Sequence, residues 1–375
     1  MVSYASALGG AERSLLTLAT HLGVRGVNPI LVCPDGPLAD RALGLGLTVA
    51  RSPLSAPRRV SRRRSTGKNY SPTAMAARGR NSLKDSRLLR RVAVEHGADL
   101  LHSNSLPGHL PTALAGRLAR APVVWHLREI VEPGPGREVL SLMGRLTEGM
   151  VAISDAVAAS VRHPRVWTVY NPVSEPPAVV ARPTWSLPKP LVGYLGRIDP
   201  SKGIEHLIVA AGLFSAEVAI VGDLDAAQPD YVASLRALAG RHAPEHVHFM
   251  GAVEEPWGAL AEFDVLVVPS LAEPFGRVAA EGQRAGVVVV AAGAGGLPEI
   301  VTDGEDGLIY QPGDRVALAK SVESVLAAPA LAERLRSAGK VSSERFDPSQ
   351  HADAMAAIFN ECVGPDSRPA PRGGR

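Results

Sequence analysis

The chain has 375 residues, of which 46% are hydrophobic and 21% are charged, and its formal net charge is +3. This length suggests two domains, and the composition is ordinary for a globular protein. The two cysteines are far apart and belong to no Cys/His cluster, which argues against a disulfide framework or a structural zinc site. No apolar run approaches the ~20 residues of a membrane-spanning helix, and the N-terminus lacks the pattern of a signal peptide. We therefore expect a cytoplasmic protein.

Positive charge is concentrated between residues 51 and 91, which contain 13 Lys or Arg and a single acid, Asp85. Such an excess predicts a surface for an anionic partner. Tyr70 is the one aromatic residue in this stretch. We therefore do not expect nucleic acid to bind, because its bases stack on interleaved aromatic side chains. An anionic membrane surface or a phosphorylated acceptor fits this charge, and a mobile basic loop with no partner is an equal alternative.

Apolar strands alternate with helical segments along the first part of the chain. Strands are predicted over 29–34, 47–50, 100–102, 122–126 and 150–153, and helices over 12–22, 87–96 and 110–120. Such a series forms a parallel sheet covered by helices. Residues 171–190 contain six prolines and little periodicity, which indicates an interdomain linker.

A second series follows the linker. Its strands are predicted over 191–195, 218–221, 247–250, 265–268 and 287–292, and its helices over 203–213, 230–241, 276–285 and 314–326. We therefore predict an α/β protein with two doubly wound domains, 1–170 and 191–360, and a disordered tail over 364–375. Ligands of such sheets bind at the carboxyl ends of the strands, so we expect a cleft between two facing domains.

Two features of the first domain are candidates for that cleft. Gly9 and Gly10 precede a helix, where paired glycines let the backbone approach a phosphate or a sugar closely. His126 ends a buried strand and would face the cleft. Without the other motifs, a hydrogen-bonded core histidine is the plainer interpretation.

Cations follow the first strand of the second domain. Arg197 and Lys202 flank a turn that begins at Gly196. An arginine fork and a lysine point charge beside a helix N-terminus suit a diphosphate, whereas two solvated surface cations are the alternative. Asp223 and Asp225 follow the next strand and could hold Mg²⁺. We expect no metal and no cofactor, because the two cations already supply the charge that a metal would bring.

The most informative segment is Glu273-Pro274-Phe275-Gly276-Arg277-Val278-Ala279-Ala280-Glu281. It places two carboxylates eight positions apart across a turn and the start of a helix. Near Gly276, unpaired N–H groups and the helix dipole favour an anion. Carboxylates accept hydrogen bonds from hydroxyls, so the segment suits a nucleotide sugar, although two solvated glutamates are the alternative. Glycine-dense turns over 293–300 and 303–308 lie near the same expected pocket.

In this order and spacing, the motifs resemble the family 4 retaining glycosyltransferases of the GT-B fold, from Gly9 to about Ala357. That fold has two doubly wound, Rossmann-like domains facing across a cleft. By this resemblance, Arg197 and Lys202 bind the donor diphosphate, Glu281 holds the ribose hydroxyls and Glu273 contacts the donor sugar. The resemblance also implies that His126 faces the reacting sugar. The further donor-binding positions are Gly10, Gly196, Phe275, Gly276, Arg277 and Val278.

The chain departs from the family pattern at two places. Family members usually open with a short apolar strand before the Gly-Gly loop, and here that strand is missing or reduced to a stub at Met1-Val2-Ser3-Tyr4. Either the start codon was placed too late or the first sheet is short of a central strand. The second departure is Arg277, where an apolar residue is more usual; this cation could tighten donor binding or alter sugar preference.

The resemblance implies a hexosyl transfer with retained configuration from a nucleoside diphosphate sugar, with UDP favoured over GDP. The acceptor would be lipid-linked or a secondary metabolite, and residues 51–91 would allow peripheral contact with the inner membrane face. Two alternatives remain. A nucleotide-sugar epimerase of the same fold would convert the donor without an acceptor, and a binding protein that has lost catalysis would turn nothing over.

Overall fold

The computed structural model describes residues 1–55 and 72–364, with side chains from residue 79 onwards in the second range. Most of the predicted tail and residues 56–71 of the basic stretch lie outside the described residues. The chain divides into two compact units. Unit 1 comprises Met1–Ile153, Val157–Pro172 and the chain from Pro348, and unit 2 comprises Ser154–Ala156 and Val173–Asp347.

All strand pairs of unit 1 are parallel, as the βαβ pattern predicts. The strands are β1 (Ile30–Cys33), β2 (Thr48–Arg51), β3 (Leu101–Ser103), β4 (Val123–Leu127), β5 (Gly149–Ala152) and β6 (Val166–Thr168). They form two sections, β1-β2 and β3-β4-β5-β6.

The first residues of the chain join these two sections. Val2 makes isolated parallel bridges to Val32 of β1 and Ser103 of β3. Its N–H donates to the carbonyl of His102 at 2.7 Å, and the N–H of Ser3 donates to the carbonyl of Val32 at 3.0 Å. The strand expected before the Gly-Gly loop is therefore present as a stub, held on both sides at the centre of the sheet.

The helices before the linker cover this sheet. They are α1 (Gly10–Leu22), α2 (Pro37–Gly44), α3 (Pro72–Glu95), α4 (Leu106–Ala119), α5 (Pro135–Gly144) and α6 (Asp155–Ala158). The helix α1 begins where the carboxylate of Glu12 accepts a hydrogen bond of 3.3 Å from the N–H of Gly9. The helix predicted over 87–96 is the last part of the longer α3, whose earlier turns are too polar to show a buried stripe.

Unit 2 contains one six-stranded parallel sheet. Its strands are β7 (Leu191–Leu195), β8 (Glu217–Val221), β9 (Val247–Gly251), β10 (Val265–Val268), β11 (Val288–Ala292) and β12 (Leu308–Tyr310). Their order is β12-β11-β10-β7-β8-β9. Because the chain leaves β7 in one direction and returns on its other side at β10, the switch point of the sheet lies between these two strands.

Helices α7 to α13 surround the second sheet. They are α7 (Ile204–Ala211), α8 (Pro229–His242), α9 (Pro256–Leu260), α10 (Arg277–Arg284), α11 (Leu297–Ile300), α12 (Arg315–Ala327) and α13 (Pro329–Ser342). Short 3-10 helices cover Gly23–Arg25, Pro200–Lys202 and Ser343–Phe346. None of the helices in the described ranges is both long and apolar enough to cross a membrane.

The last helix is α14 (Pro348–Val363). The second domain was predicted to end at residue 360 and therefore to include most of this helix. It belongs to unit 1, and unit 2 ends at Asp347. Met355 and Phe359 of α14 share a buried cluster with Leu18, Leu22 and Val124. Burying each of these apolar side chains contributes about 2 kcal/mol, which favours the return of the chain to its N-terminal part.

Candidate functional site

Two loops of unit 2 come together at the switch point, after β7 and after β10. The strands pair side by side, with Val192 opposite Val265. Beyond them, the N–H of Leu271 donates to the carbonyl of Ser201 at 3.1 Å. Gly203 has φ +64°, and a Cβ at this position would lie 2.2 Å from the carbonyl oxygen of Pro269. A glycine is therefore required for the two loops to pack this closely.

Lys202 on the loop after β7 and Glu273 on the loop after β10 form an ion pair. Each was predicted as a site residue from its own motif. The distance between Lys202 Nζ and Glu273 Oε2 is 2.6 Å, and the side chains are only 17% and 12% exposed. Ser270 Oγ donates to the same carboxylate oxygen at 3.0 Å. Partial burial strengthens these charge-assisted hydrogen bonds and fixes both charged groups.

Arg197 lies on the same loop as Lys202 and is exposed. Its carbonyl oxygen accepts a hydrogen bond of 2.6 Å from the hydroxyl of Tyr194. The neighbouring carboxylate of Asp199 accepts from the N–H of Ser201 at 2.9 Å. Burial raises the pKa of Asp199, but the hydrogen bonds from Ser201 and the charges of Arg197 and Lys202 outweigh it and leave that pKa below its usual value. The loop thus has hydrogen bonds that fix its backbone and an exposed cation at Arg197.

Helix α10 begins at the Gly276 turn, as the sequence predicts. Gly276 precedes its first residue with φ +104°. One turn further, Arg277 Nε and Glu281 Oε1 lie 2.7 Å apart, with side chains 20% and 10% exposed. Phe275 is buried and packs edge-on against Phe346, at 5.5 Å between ring centres. The positive end of the helix dipole lies at this first turn, which favours an anion there.

Gly295 and Gly296 pack against the backbone of Glu273. Gly295 has φ +59°, and a Cβ there would lie 2.1 Å from the carbonyl oxygen of Glu273. The N–H of Gly296 donates to that carbonyl at 2.8 Å. The turn over 303–308 is closed by its own bonds, since the N–H of Gly304 donates to the carbonyl of Gly307 at 2.9 Å. The turn at Gly295 and Gly296 therefore supports the loop that carries Glu273.

In unit 1, His126 occupies the end of β4 and is completely buried. Its Nδ1 lies 3.2 Å from Nε2 of His102 on β3. Burial, aided by the positive charge of Arg128, keeps the pKa of His126 well below its usual value, so the imidazole is neutral. Gly10 is the first residue of α1.

Sequence reasoning missed three of these contributors: Ser270, His102 and Asn104. The amide oxygen of Asn104 accepts from Arg128 Nη2 at 2.7 Å. Each of the three follows or ends a buried strand, as the predicted residues do. A polar side chain at the carboxyl end of a parallel strand was the available signal.

The Asp223 carboxylate serves a turn. Its Oδ1 accepts hydrogen bonds from the N–H groups of Asp225 and Ala226, at 3.0 and 2.9 Å. Within 1–55 and 72–364, no three His, Cys, Asp or Glu side chains are grouped so that they could hold a metal ion. Independence from metal stays a prediction.

Comparison with known families agrees with this arrangement. The family described as Glycosyltransferase Family 4 matches residues 8–175, and that described as Glycosyl transferases group 1 matches residues 180–342. The chain belongs to the family 4 glycosyltransferases. Together the two matched regions cover both halves of this glycosyltransferase sequence, including all the predicted site residues.

Three curated relatives match parts of this family 4 glycosyltransferase. Alpha-maltose-1-phosphate synthase of Mycolicibacterium smegmatis is 34% identical over 194 residues, 48% of this chain and 49% of the relative. Glycogen synthase of Mycobacterium tuberculosis is 32% identical over 188 residues, 48% of this chain and 44% of the relative. D-inositol 3-phosphate glycosyltransferase of Xylanimonas cellulosilytica is 34% identical over 180 residues, 46% and 43%. The chain spans about half the length of the curated relatives it matches.

Solved structures share the fold of this family 4 glycosyltransferase. Anabaena Alr3699/HepE, crystallised with UDP and glucose, has a TM-score of 0.77 and 24% identity over 96% of this chain and 98% of its own. Sucrose-phosphate synthase from Thermosynechococcus elongatus has a TM-score of 0.74 and 20% identity over 96% and 97%. The predicted α/β class and GT-B fold are confirmed.

Proposed function

We propose that the protein is a retaining glycosyltransferase that moves a hexosyl unit from a nucleoside diphosphate sugar to an acceptor. The observation that carries this proposal is the meeting of the Lys202–Glu273 pair at the switch point of unit 2. Arg197, Lys202 and the first N–H groups of α10 would bind the diphosphate. Glu281 would hold the ribose hydroxyls, and Glu273 would hold the sugar.

The proposed reaction begins with departure of the nucleoside diphosphate from the donor sugar. The bond between the sugar C1 and the phosphate oxygen breaks, and negative charge develops on the diphosphate. Lys202, Arg197 and the α10 terminus would stabilise that charge where it forms. The acceptor oxygen attacks C1 from the same face, and its proton passes to the departing phosphate oxygen. Glu273 already accepts from Lys202 and Ser270, which suits a group that holds hydroxyls better than a nucleophile.

A preference for a UDP-sugar donor is supported by the ligands of a protein with the same fold. The Anabaena protein was crystallised with UDP and with UDP-glucose. GDP also fits the same diphosphate groups, because Arg197 and Lys202 contact no base in this proposal. The proposed reaction needs no metal, since these two cations and the helix terminus supply the positive charge.

The acceptor is proposed from the basic stretch in unit 1. In its described part, Arg80, Lys84, Arg87, Arg90 and Arg91 are all exposed on α3. An anionic, lipid-linked acceptor at the inner face of a membrane suits this surface, and so does a phosphorylated secondary metabolite. Residues 56–71, which hold many of the cations, lie outside the described residues.

Incubation with UDP- and GDP-hexoses tests this function. We expect UDP or GDP to be released, and the rate of release to rise when an acceptor is added. Liquid chromatography with mass spectrometry measures this release. Conversion of the donor sugar without acceptor and without nucleotide release would mean an epimerase instead. Tight nucleotide binding in calorimetry with no turnover of any donor would mean a binding protein that has lost catalysis.

A further inference from the structure

The two carboxylate oxygens of Glu273 have different surroundings. Oε2 accepts hydrogen bonds from Lys202 Nζ at 2.6 Å and from Ser270 Oγ at 3.0 Å. Within residues 1–55 and 72–364, no group donates to Oε1. Oε1 is not one of the fully buried polar atoms that lack a partner in this part of the chain. It is therefore open to a ligand, whereas both lone pairs of Oε2 are already taken.

Ser270 is the less mobile of the two donors to Oε2. It lies two residues after β10 and is only 1% exposed. Because an ionised carboxylate only accepts hydrogen bonds, the Ser270 hydroxyl must be the donor. Lys202 reaches the same oxygen on a flexible four-carbon stem. The backbone beside Ser270 is fixed instead, since the N–H of Leu271 donates to the carbonyl of Ser201 at 3.1 Å.

A single donor would not fix the orientation of this carboxylate. The terminal torsion of a glutamate side chain is broad and roughly twofold, so one donor leaves the two oxygens able to exchange places. Two donors on the same oxygen remove that freedom. In the proposed reaction, Lys202 must also bind the diphosphate, so it cannot hold the carboxylate alone. The Ser270 hydroxyl then keeps Oε2 in place while Oε1 meets the sugar.

We propose that Ser270 is a positioning residue for the donor sugar: with Lys202 it occupies Glu273 Oε2, and so directs Oε1 to the hydroxyl groups of the hexose. This inference rests on the proposed function, in which Glu273 holds the sugar. All three residues belong to unit 2. Ser270 is too buried to touch the substrate, and it acts through the carboxylate that does.

Calorimetric titrations with UDP and with UDP-glucose, in the absence of acceptor, measure how much the sugar adds to binding. The matching pair of ligands replaces them if the incubation with UDP- and GDP-hexoses selects another donor. We expect Ser270→Ala to weaken the binding of UDP-glucose about fivefold, because Oε1 is no longer directed to the hydroxyls. The affinity for UDP should stay within about twofold, because UDP lacks the sugar.

Ser343→Ala is the matched control. Ser343 is a completely buried serine of unit 2, and its Oγ donates to the carbonyl of Lys340 at 2.6 Å. Its substitution removes a similar hydrogen bond that does not involve Glu273, so it should change neither affinity.

A double-mutant cycle tests whether Ser270 acts through Glu273. The quantity compared is the dissociation constant of UDP divided by that of UDP-glucose, which cancels effects on the diphosphate. Glu273→Ala should lower this ratio at least as much as Ser270→Ala does. Adding Ser270→Ala to Glu273→Ala should lower the ratio no further, because the carboxylate that Ser270 orients is already gone.

A ratio that Ser270→Ala leaves unchanged overturns the proposal. So does an equal loss of affinity for UDP, a further loss in the Glu273→Ala background, or the same loss in Ser343→Ala. A wild type that releases no nucleotide from any donor refutes the proposed function, and the ratio still decides on Ser270. Turnover of a donor together with an unchanged ratio refutes only the role of Ser270.

Discussion

Arg277 and Glu281 face each other across one turn at the start of α10, 2.7 Å apart. A cation in the first turn of a helix is electrostatically unfavourable, because the dipole is positive there. Glu281 offsets this charge in the absence of a ligand. A diphosphate at the same terminus would compete for the guanidinium and leave the carboxylate free for the ribose.

This competition predicts opposite effects of Arg277→Gln on two ligands. Uridine should bind about threefold more tightly, because Glu281 gains a free oxygen for the ribose hydroxyls. UDP should bind about tenfold more weakly, because a charge-assisted hydrogen bond to phosphate is lost. Calorimetric titrations of both ligands provide the measurement. Arg241→Gln, which removes the same charge at the exposed end of α8, is the control, and equal changes for both ligands would refute the exchange.

Single residues also mark the limit of what the sequence could predict here. Lys202, Glu273 and Gly276 were predicted because each follows a recognisable strand and turn. Ser270 and His102 were not, although each lies at the end of a strand, because the turn that brings Ser270 to Glu273 and the pairing of β3 with β4 that brings His102 to His126 are set by the fold. Gly295 shows the same limit: its closeness to the carbonyl of Glu273 depends on how two loops pack.

At the scale of elements, helix α3 presents a basic face. Arg80, Lys84, Arg87 and Arg91 follow a spacing of four, three and four residues, which places them on one side of the helix. Leu83, 50% exposed, lies on the same side. Cations interleaved with an exposed apolar residue suit an anionic bilayer.

This face predicts salt-sensitive binding to lipid. We expect the protein to sediment with phosphatidylglycerol vesicles at low salt and to be released at high salt. The double variant Lys84→Glu/Arg87→Glu should bind at least about thirtyfold more weakly, since each lost cation removes about 1 kcal/mol and each new carboxylate is repelled by the lipid. Arg241→Glu/Lys320→Glu changes the same charge in unit 2 and should bind as the wild type does. Binding that ignores salt, or equal losses in both double variants, would contradict a docking role.

Elements were predicted well where their periodicity is local. Five of the six strands of unit 2 lie within about two residues of their predicted bounds, because buried parallel strands are short apolar runs bounded by turns. The sixth strand, β12, was not predicted, because it is only three residues long and directly follows a glycine-dense turn. The placement of α14 could not be predicted in this way. Its apolar stripe fits either domain, and only the cluster around Met355 and Phe359 shows that it packs in unit 1.

For the whole molecule, the strand order determines where the candidate site residues lie. Unit 2 has its switch point between β7 and β10, and the residues proposed for the donor follow these two strands. Unit 1 has the stub at Val2 in the centre of its sheet, with bridges to β1 and β3 on either side. The sequence predicted that this strand would be either missing or reduced to a stub. The two buried histidines lie on the strands β3 and β4 beside it. The family and the fold follow from the same order of motifs, and the candidate site of unit 2 is a prediction from it.

The central claim is that the loops after β7 and β10 form the donor site. A crystal structure of the protein with UDP tests it most directly. The claim predicts the diphosphate at Arg197, Lys202 and the first N–H groups of α10, with the ribose hydroxyls on Glu281 and the Arg277–Glu281 contact opened. UDP bound elsewhere, or with its ribose away from Glu281, would contradict it.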